Sequence, residues 1–252
     1  MPTLVPVVSL LTRRHQRSDN PLREKESPIS ANAVTGHCVN VPIAETCQPT
    51  PLCVRTCYAA SNRMAMPASL LRQSRTLRSI EADPVAFAQR VVAEYDRMKL
   101  TFLRWNGVGD LTREAVRAIN WIGANRPDVV LWVVSRIPDL AAAIEDAPRV
   151  YVHLSTDRHS SMRADAFDEF VPLSSNWFLS YQIAPDEMTP HDVIQRASVV
   201  FNHRYRPVQE GMIDAAVSCP LNGRESCEGA CAECRRCFDG SAVAHRRTLS
   251  GP

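Results

Sequence analysis

Residues 100–136 read LTFLRWNGVGDLTREAVRAINWIGANRPDVVLWVVSR, and this stretch decides the fold. It opens with an apolar run, Leu100 to Trp105, that has the composition of a strand. Asn106-Gly107-Val108-Gly109-Asp110 follows and reads as a tight loop. Val116, Ile119 and Ile122 then recur at helical spacing, giving one apolar face. Val129 to Val134 (VVLWVV) is a continuous apolar run, as expected of a strand covered on both faces in a parallel sheet. Strand, helix and strand in this order make one βαβ unit.

The same alternation extends both ways. Upstream, Asp83 followed by Pro84 is an N-cap and first-turn signal, and Phe87, Val91, Val92 and Tyr95 share the face of the helix it starts. A first strand is expected within Ala33 to Val41. Downstream come a short helix over Pro138 to Glu145 and strands over Arg149 to Leu154 and Trp177 to Ile183. A helix then starts at Thr189-Pro190 (HDVIQRA), and a last strand spans Ser198 to Asn202. The expected fold is α/β, a partial, open parallel β/α barrel of about six strands. Periodicity does not separate it from an open doubly wound sheet. In both, chemistry sits at the carboxyl ends of the strands. The candidates there are Asn106 to Asp110, Ser135, Arg136, Ser155 to Asp157, Gln182, and Asn202 to Arg204.

At 252 residues with 45% hydrophobic and 22% charged residues, the chain can bury a core and is not a disordered or fibrous sequence. A formal net charge of +2 is too small to argue for nucleic-acid binding by itself. No apolar run reaches the ~18 residues of a membrane span. The apolar stretch Leu4 to Leu11 precedes Arg13, Arg14 and Arg17 rather than following them, the wrong order for an export signal. These readings give residues 1–30 as a flexible N-terminal arm, 31–210 as the partial barrel, and 211–252 as a cysteine-rich metal-binding segment, in a cytoplasmic protein.

The nine cysteines fall in two groups, with none in residues 58–218. In a reducing compartment such grouping points to metal ligation rather than disulfides. The first group is Cys38, Cys47, Cys53 and Cys57, the last three spaced C-x5-C-x3-C beside Pro49 and Pro51 in an expected loop. Three thiolates can hold three irons of a [4Fe-4S] cluster and leave one iron open. With Cys38 as a fourth ligand, the same group would instead make a closed zinc site. The second group is Cys219, Cys227, Cys231, Cys234 and Cys237, ending in C-x2-C-x2-C. Short steps of this kind aim successive thiolates at one centre, and a second [4Fe-4S] cluster and zinc both satisfy them.

Three segments resemble the phage gene-product-88 family and its radical-SAM-like relatives. They are TCQPTPLCVRTCYAA (Thr46 to Ala60), FLRWNGVGDL (Phe102 to Leu111) and CPLNGRESCEGACAECRRCF (Cys219 to Phe238). The resemblance implies a [4Fe-4S] cluster on Cys47, Cys53 and Cys57, with S-adenosylmethionine at the open iron as source of a 5′-deoxyadenosyl radical. It implies that Gly107, Gly109 and Asp110 receive the methionine amine, and that Cys219, Cys231, Cys234 and Cys237 hold the second metal. The usual radical SAM loop is C-x3-C-x2-C with an aromatic before its last cysteine; here the spacings are longer and Tyr58 follows Cys57.

Other polar residues have two readings each. Arg104 can bind a carboxylate or phosphate, or form a buried ion pair. Asp110 can instead cap the helix that follows it. His153, inside an apolar strand, is expected to be a satisfied core histidine. Ser155 to Asp157 can bind ribose hydroxyls or cap a helix. The expected function is a radical SAM-type iron–sulfur enzyme with a reducing electron donor and a nucleotide or nucleic-acid substrate. The alternative is a zinc-stabilised nucleic-acid-binding or base-modifying barrel without radical chemistry.

Overall fold

The computed structural model describes residues 18–32, 36–60, 62–160, 176–191, 193, 197–201, 213, 218–219, 231, 234–235 and 237–238. Seven strands form one sheet in chain order: β1 (Ser30–Asn32), β2 (Gly36–Asn40), β3 (Leu103–Val108), β4 (Leu131–Ser135), β5 (Val150–Thr156), β6 (Trp177–Gln182) and β7 (Ala197–Phe201). β1 and β2 are an antiparallel pair, and each later neighbour pair is parallel. The helices are α1 (Ile43–Thr46), α2 (Pro51–Thr56), α3 (Pro67–Ala82), α4 (Pro84–Arg97), α5 (Arg113–Asn125) and α6 (Pro138–Ala142).

The fold is mixed α/β, with a mostly parallel seven-stranded sheet. A doubly wound sheet reverses its order at a switch point. Here the strands keep chain order, and the long helices pack on one face of the sheet. The core agrees. Leu77 and Ile80 of α3, Phe87 and Val91 of α4, and Ile119 and Ile122 of α5 pack against Leu103, Trp105, Leu131, Val133, Val152 and Leu154 of the strands. Phe87 meets the Trp105 ring edge-on, with centroids 6.1 Å apart. The opposite face carries a second apolar cluster, Phe102, Val130, Trp132 and Phe238. Phe238, from the second cysteine segment, stacks on Phe102 with centroids 4.1 Å apart.

Local chemistry explains the helix starts. The Asp83 carboxylate accepts from the amides of Val85 and Ala86, with Pro84 in the first turn of α4. Thr112, not Asp110, caps α5, through the amide of Ala115. The expected loop around the first cysteines contains a helical turn. Thr50 caps α2 through the amide of Cys53, and Pro51 takes the first position, where no amide donor is required.

β3 runs past the expected end at Trp105 to Val108. The Asn-Gly pair reads as a turn in sequence, but here it is a bulge. Val39 pairs with Trp105 and the next residue, Asn40, with Val108. Asn106 takes φ 62° and Gly109 φ 82°, the left-handed region. A side chain at Gly109 would sit 2.4 Å from the Val41 carbonyl oxygen, so glycine is required twice over.

Residues 18–29, expected within the free arm, lie against α3 and α4. Leu22 and Ile29 are buried, the Ser18 amide donates to Ser74, and the Leu22 amide donates to Ser79. The guanidinium of Arg72 binds the carbonyls of Ser27 and Ile29, that of Arg90 binds those of Arg23 and Glu26, and Arg75 pairs with Glu26. Residues 1–17, most of the helix expected after Pro190, and residues 202–204 lie outside the described residues.

Candidate functional site at the strand carboxyl ends

The polar residues expected at the strand ends are joined in one network. Asp110, just beyond β3, is buried, and its Oδ1 accepts from the Leu111 amide at 2.8 Å and Ser135 Oγ at 2.6 Å. Its Oδ2 accepts from the Arg136 amide at 3.0 Å. Arg136, just beyond β4, sends Nη1 to Asp157 at 2.8 Å and Nη2 to Gln182 at 2.7 Å. These contacts tie β3, β4, β5 and β6 together at one end of the sheet. Burial pushes the Asp110 carboxyl up, and the hydrogen bonds from Ser135, Leu111 and Arg136 oppose that shift.

The first cysteine group lies across this network. Thr50 Oγ1 donates to Asp157 Oδ2 at 2.5 Å at the start of α2. Gln182 Nε2 donates to Thr56 Oγ1 at 2.7 Å at its end. Thr56 in turn donates to the Leu52 carbonyl at 2.8 Å. Just beyond Cys57, the Tyr58 hydroxyl donates to the Gly107 carbonyl at the bulge. Thr46 Oγ1 accepts from the Asp110 amide at 3.0 Å and fixes the chain before Cys47. Each side of the cysteine run is therefore pinned to a strand end.

Electrostatics place the three thiols in one another's fields. Burial pushes the Cys47 thiol well above its usual range, and Asp110, Cys53 and Cys57 push it further. Burial also raises Cys53, with the Arg136 guanidinium opposing. A trio of partly buried soft sulfur donors that repel one another once ionised is suited to a cationic metal centre. Among the described residues, no group of three or more His, Cys, Asp or Glu side chains is placed to hold a metal ion. Cys38 is engaged elsewhere: its buried thiol donates to the Ser30 carbonyl at 3.6 Å across the β1–β2 pair.

The other sequence candidates find definite partners. Gly107 and Gly109 serve close packing: a side chain at Gly107 would sit 2.6 Å from both Cys38 Sγ and Asn40 Oδ1. His153 is a fully buried, satisfied histidine, with Nδ1 2.7 Å from Ser180 Oγ and Nε2 2.9 Å from the Cys237 carbonyl. Burial raises the Cys237 thiol, and Cys219, Cys231 and Cys234 raise it further, so four cysteines of the second group are neighbours. Arg104 lies over the Trp132 ring, 4.7 Å from its centroid, and forms no ion pair among the described residues. Asn202, His203, Arg204 and Cys227 lie outside the described residues. Thr50, Thr56 and Tyr58 were not singled out from sequence as the residues that fasten the cysteine run. The Thr50-Pro51 capping signal was the available clue for the first.

The family model described as gene product 88 matches residues 9–240, a span that includes both cysteine groups and every strand end above. The chain belongs to the gene product 88 family. No curated protein and no solved structure matches it. In this member of the gene product 88 family, no helix among the described residues is long and apolar enough to cross a membrane.

Proposed function

We propose that this protein is an iron–sulfur enzyme of the radical SAM type, built on a partial parallel β/α barrel. Cys47, Cys53 and Cys57 would hold a [4Fe-4S] cluster at the carboxyl ends of the strands. The observation that carries the reading is the double fastening of α2, by Thr50 on Asp157 and by Gln182 on Thr56. It holds the run of three half-buried cysteines over the end of the sheet where α/β folds assemble their sites. The donor chemistry fits the group: with Cys38 committed to Ser30, three thiols would be available, one fewer than the irons of such a cluster.

Bound there, such a cluster would supply the electron for reductive cleavage of S-adenosylmethionine. The protein's own residues do the rest. Asp157 and Gln182 hold α2 at a fixed height above the sheet, and Arg136 sets both of them through one planar guanidinium. Tyr58 fixes the backbone just after Cys57. Asp110 uses both carboxylate oxygens on protein donors, leaving part of its acceptor capacity for an ammonium group. In this reading Asp110 first positions β4, and the amine contact expected from Gly107, Gly109 and Asp110 falls mainly on Asp110. The second cysteine group, Cys219, Cys231, Cys234 and Cys237, would hold a further cluster or zinc. A cytoplasmic location would keep both groups reduced.

The test is anaerobic reconstitution with iron and sulfide, then reduction in the presence of S-adenosylmethionine. Formation of 5′-deoxyadenosine that is lost in Cys53→Ala supports the reading. A fully formed, reducible cluster that leaves the cofactor intact contradicts it.

A further inference from the structure

Arg104 stands in the middle of the sheet, on the face away from the helices. Its register neighbours are Cys38 on β2 and Trp132 on β4. Other arginines near the core have ionic or carbonyl partners among the described residues: Arg75, Arg78 and Arg136 pair with carboxylates, although the Arg75 Nε is itself buried and unbonded, and Arg72 and Arg90 bind backbone carbonyls. Arg104 instead lies over Trp132, and its Nε is buried with no hydrogen-bond partner. Arg104 as a whole is partly exposed, but a guanidinium with its Nε buried and no carboxylate paired to it among the described residues is well placed to take an anion. Cys38 beside it cannot supply that anion, because burial raises that thiol and keeps it neutral.

Other polar atoms at this spot are also unmatched. Asn40, two residues beyond Cys38, has a buried Oδ1 without a donor, and so has Asn106, two residues beyond Arg104. The Trp132 indole N–H is buried and unbonded. Isolated buried orphans cost about 1–3 kcal/mol each, so their grouping on three adjacent strands calls for a common partner. Such a partner has an anionic group for the guanidinium and N–H or O–H donors nearby for the asparagine oxygens.

We propose that Arg104, with Asn40 and Asn106, forms a binding site for a small molecule carrying a carboxylate or phosphate next to an N–H or O–H donor. The site lies between the first cysteine group, reached through Cys38 and the Gly107 bulge, and the second, reached through Phe238 on Trp132. Taken as the substrate site of the enzyme above, it rests on that reading; the anion site itself does not.

The test uses the full chain, purified anaerobically with the metals it holds. Inorganic phosphate, glutamate and AMP are titrated separately by calorimetry, and metal content is measured on the same samples. At least one anion should bind, and Arg104→Gln should weaken it by roughly 10- to 100-fold, the loss of a charge-assisted pair, with metal content unchanged. Arg104→Lys, which keeps the charge but not the planar fork, should fall between. Preference for glutamate or for AMP separates a carboxylate ligand from a phosphate one. Failure of the wild-type chain to bind any of the three overturns the proposal. So does loss of metal in Arg104→Gln without loss of anion binding, which makes Arg104 a counter-ion to thiolates. If Arg104→Gln does not fold, the Lys variant and Asn40→Leu decide: affinities equal to wild type in both overturn the site. Absence of iron with anion binding intact refutes the cluster reading alone.

Discussion

Replacing Asp157 by Asn tests the fastening of the cysteine helix directly. The Asp157 side chain is fully buried and accepts from Thr50 at 2.5 Å, from Arg136 at 2.8 Å and from the His159 amide at 2.8 Å. Asparagine keeps the shape and one acceptor oxygen but removes the charge. Breaking a buried pair on one side typically costs about 3–5 kcal/mol, because the remaining charge is left uncompensated. Arg136 keeps Gln182, so the expected loss is smaller, about 2–3 kcal/mol. In a chain of this size, that lowers the midpoint of thermal unfolding by roughly 4–12 °C. The local consequence is sharper: freed from Thr50, the start of α2 should loosen. Cys47, Cys53 and Cys57 in the metal-free chain should then react faster with a thiol reagent than in wild type, under native conditions. The exposed Asp128 of the Arg126 pair is the control, and Asp128→Asn should change neither readout. An Asp157→Asn chain with wild-type melting and wild-type thiol reactivity would refute the fastening argument.

Three further outcomes follow from the geometry. Gly109→Ala must adopt φ near 82° and place its Cβ 2.4 Å from the Val41 oxygen. The conformation alone costs about 1–2 kcal/mol, and the clash adds to it, so urea unfolding should show a larger loss than for Gly123→Ala. Glu94 is held down at about 2 by Arg97, with Ser27 adding. A carboxyl lowered from the usual 4.5 stabilises the fold above that value and loses the contribution as pH falls toward 2. Glu94→Gln should therefore cost at most about 1 kcal/mol at pH 7, shrinking to nothing near pH 2 in urea titrations. Phe238→Ala removes a ring that is 2% exposed and stacked on Phe102, a change worth about 3–5 kcal/mol in a well-packed core. Hydrogen exchange should show loss of protection around Cys237 while β3 and β4 stay protected.

The sheet was readable because its strands are either fully apolar runs or bounded by strong capping signals. Val129 to Val134 and Asp83-Pro84 behave as their composition demands. The end of β3 is not legible, because Asn106-Gly107 has turn composition and only the partner strand shows that it is a bulge. α2 was hidden for a related reason. Two prolines and three cysteines in residues 47–57 suggest a loop, yet Thr50-Pro51 is a sound helix start. The strand-end rule found Asp110, Ser135, Arg136, Asp157 and Gln182 without knowledge of their partners. It could not reveal that Arg136 joins two of them, or that Thr50 and Thr56 attach to them. Such contacts span 107 and 126 residues of sequence and leave no local pattern. The polar stretch around residue 20 looked free because its partners, Arg72, Arg75 and Arg90, lie on the exposed-looking sides of two distant helices.

The most direct measurement is iron content and visible absorption on anaerobically purified full-length protein, repeated in two variants. The account predicts about four irons per chain, with a broad iron–sulfur band, in a chain whose Cys231 and Cys234 are both serine. It predicts loss of that iron when Cys53 alone is replaced by alanine. Zinc without iron at the first cysteine group, or iron that survives Cys53→Ala and disappears with Cys231 and Cys234, would contradict it.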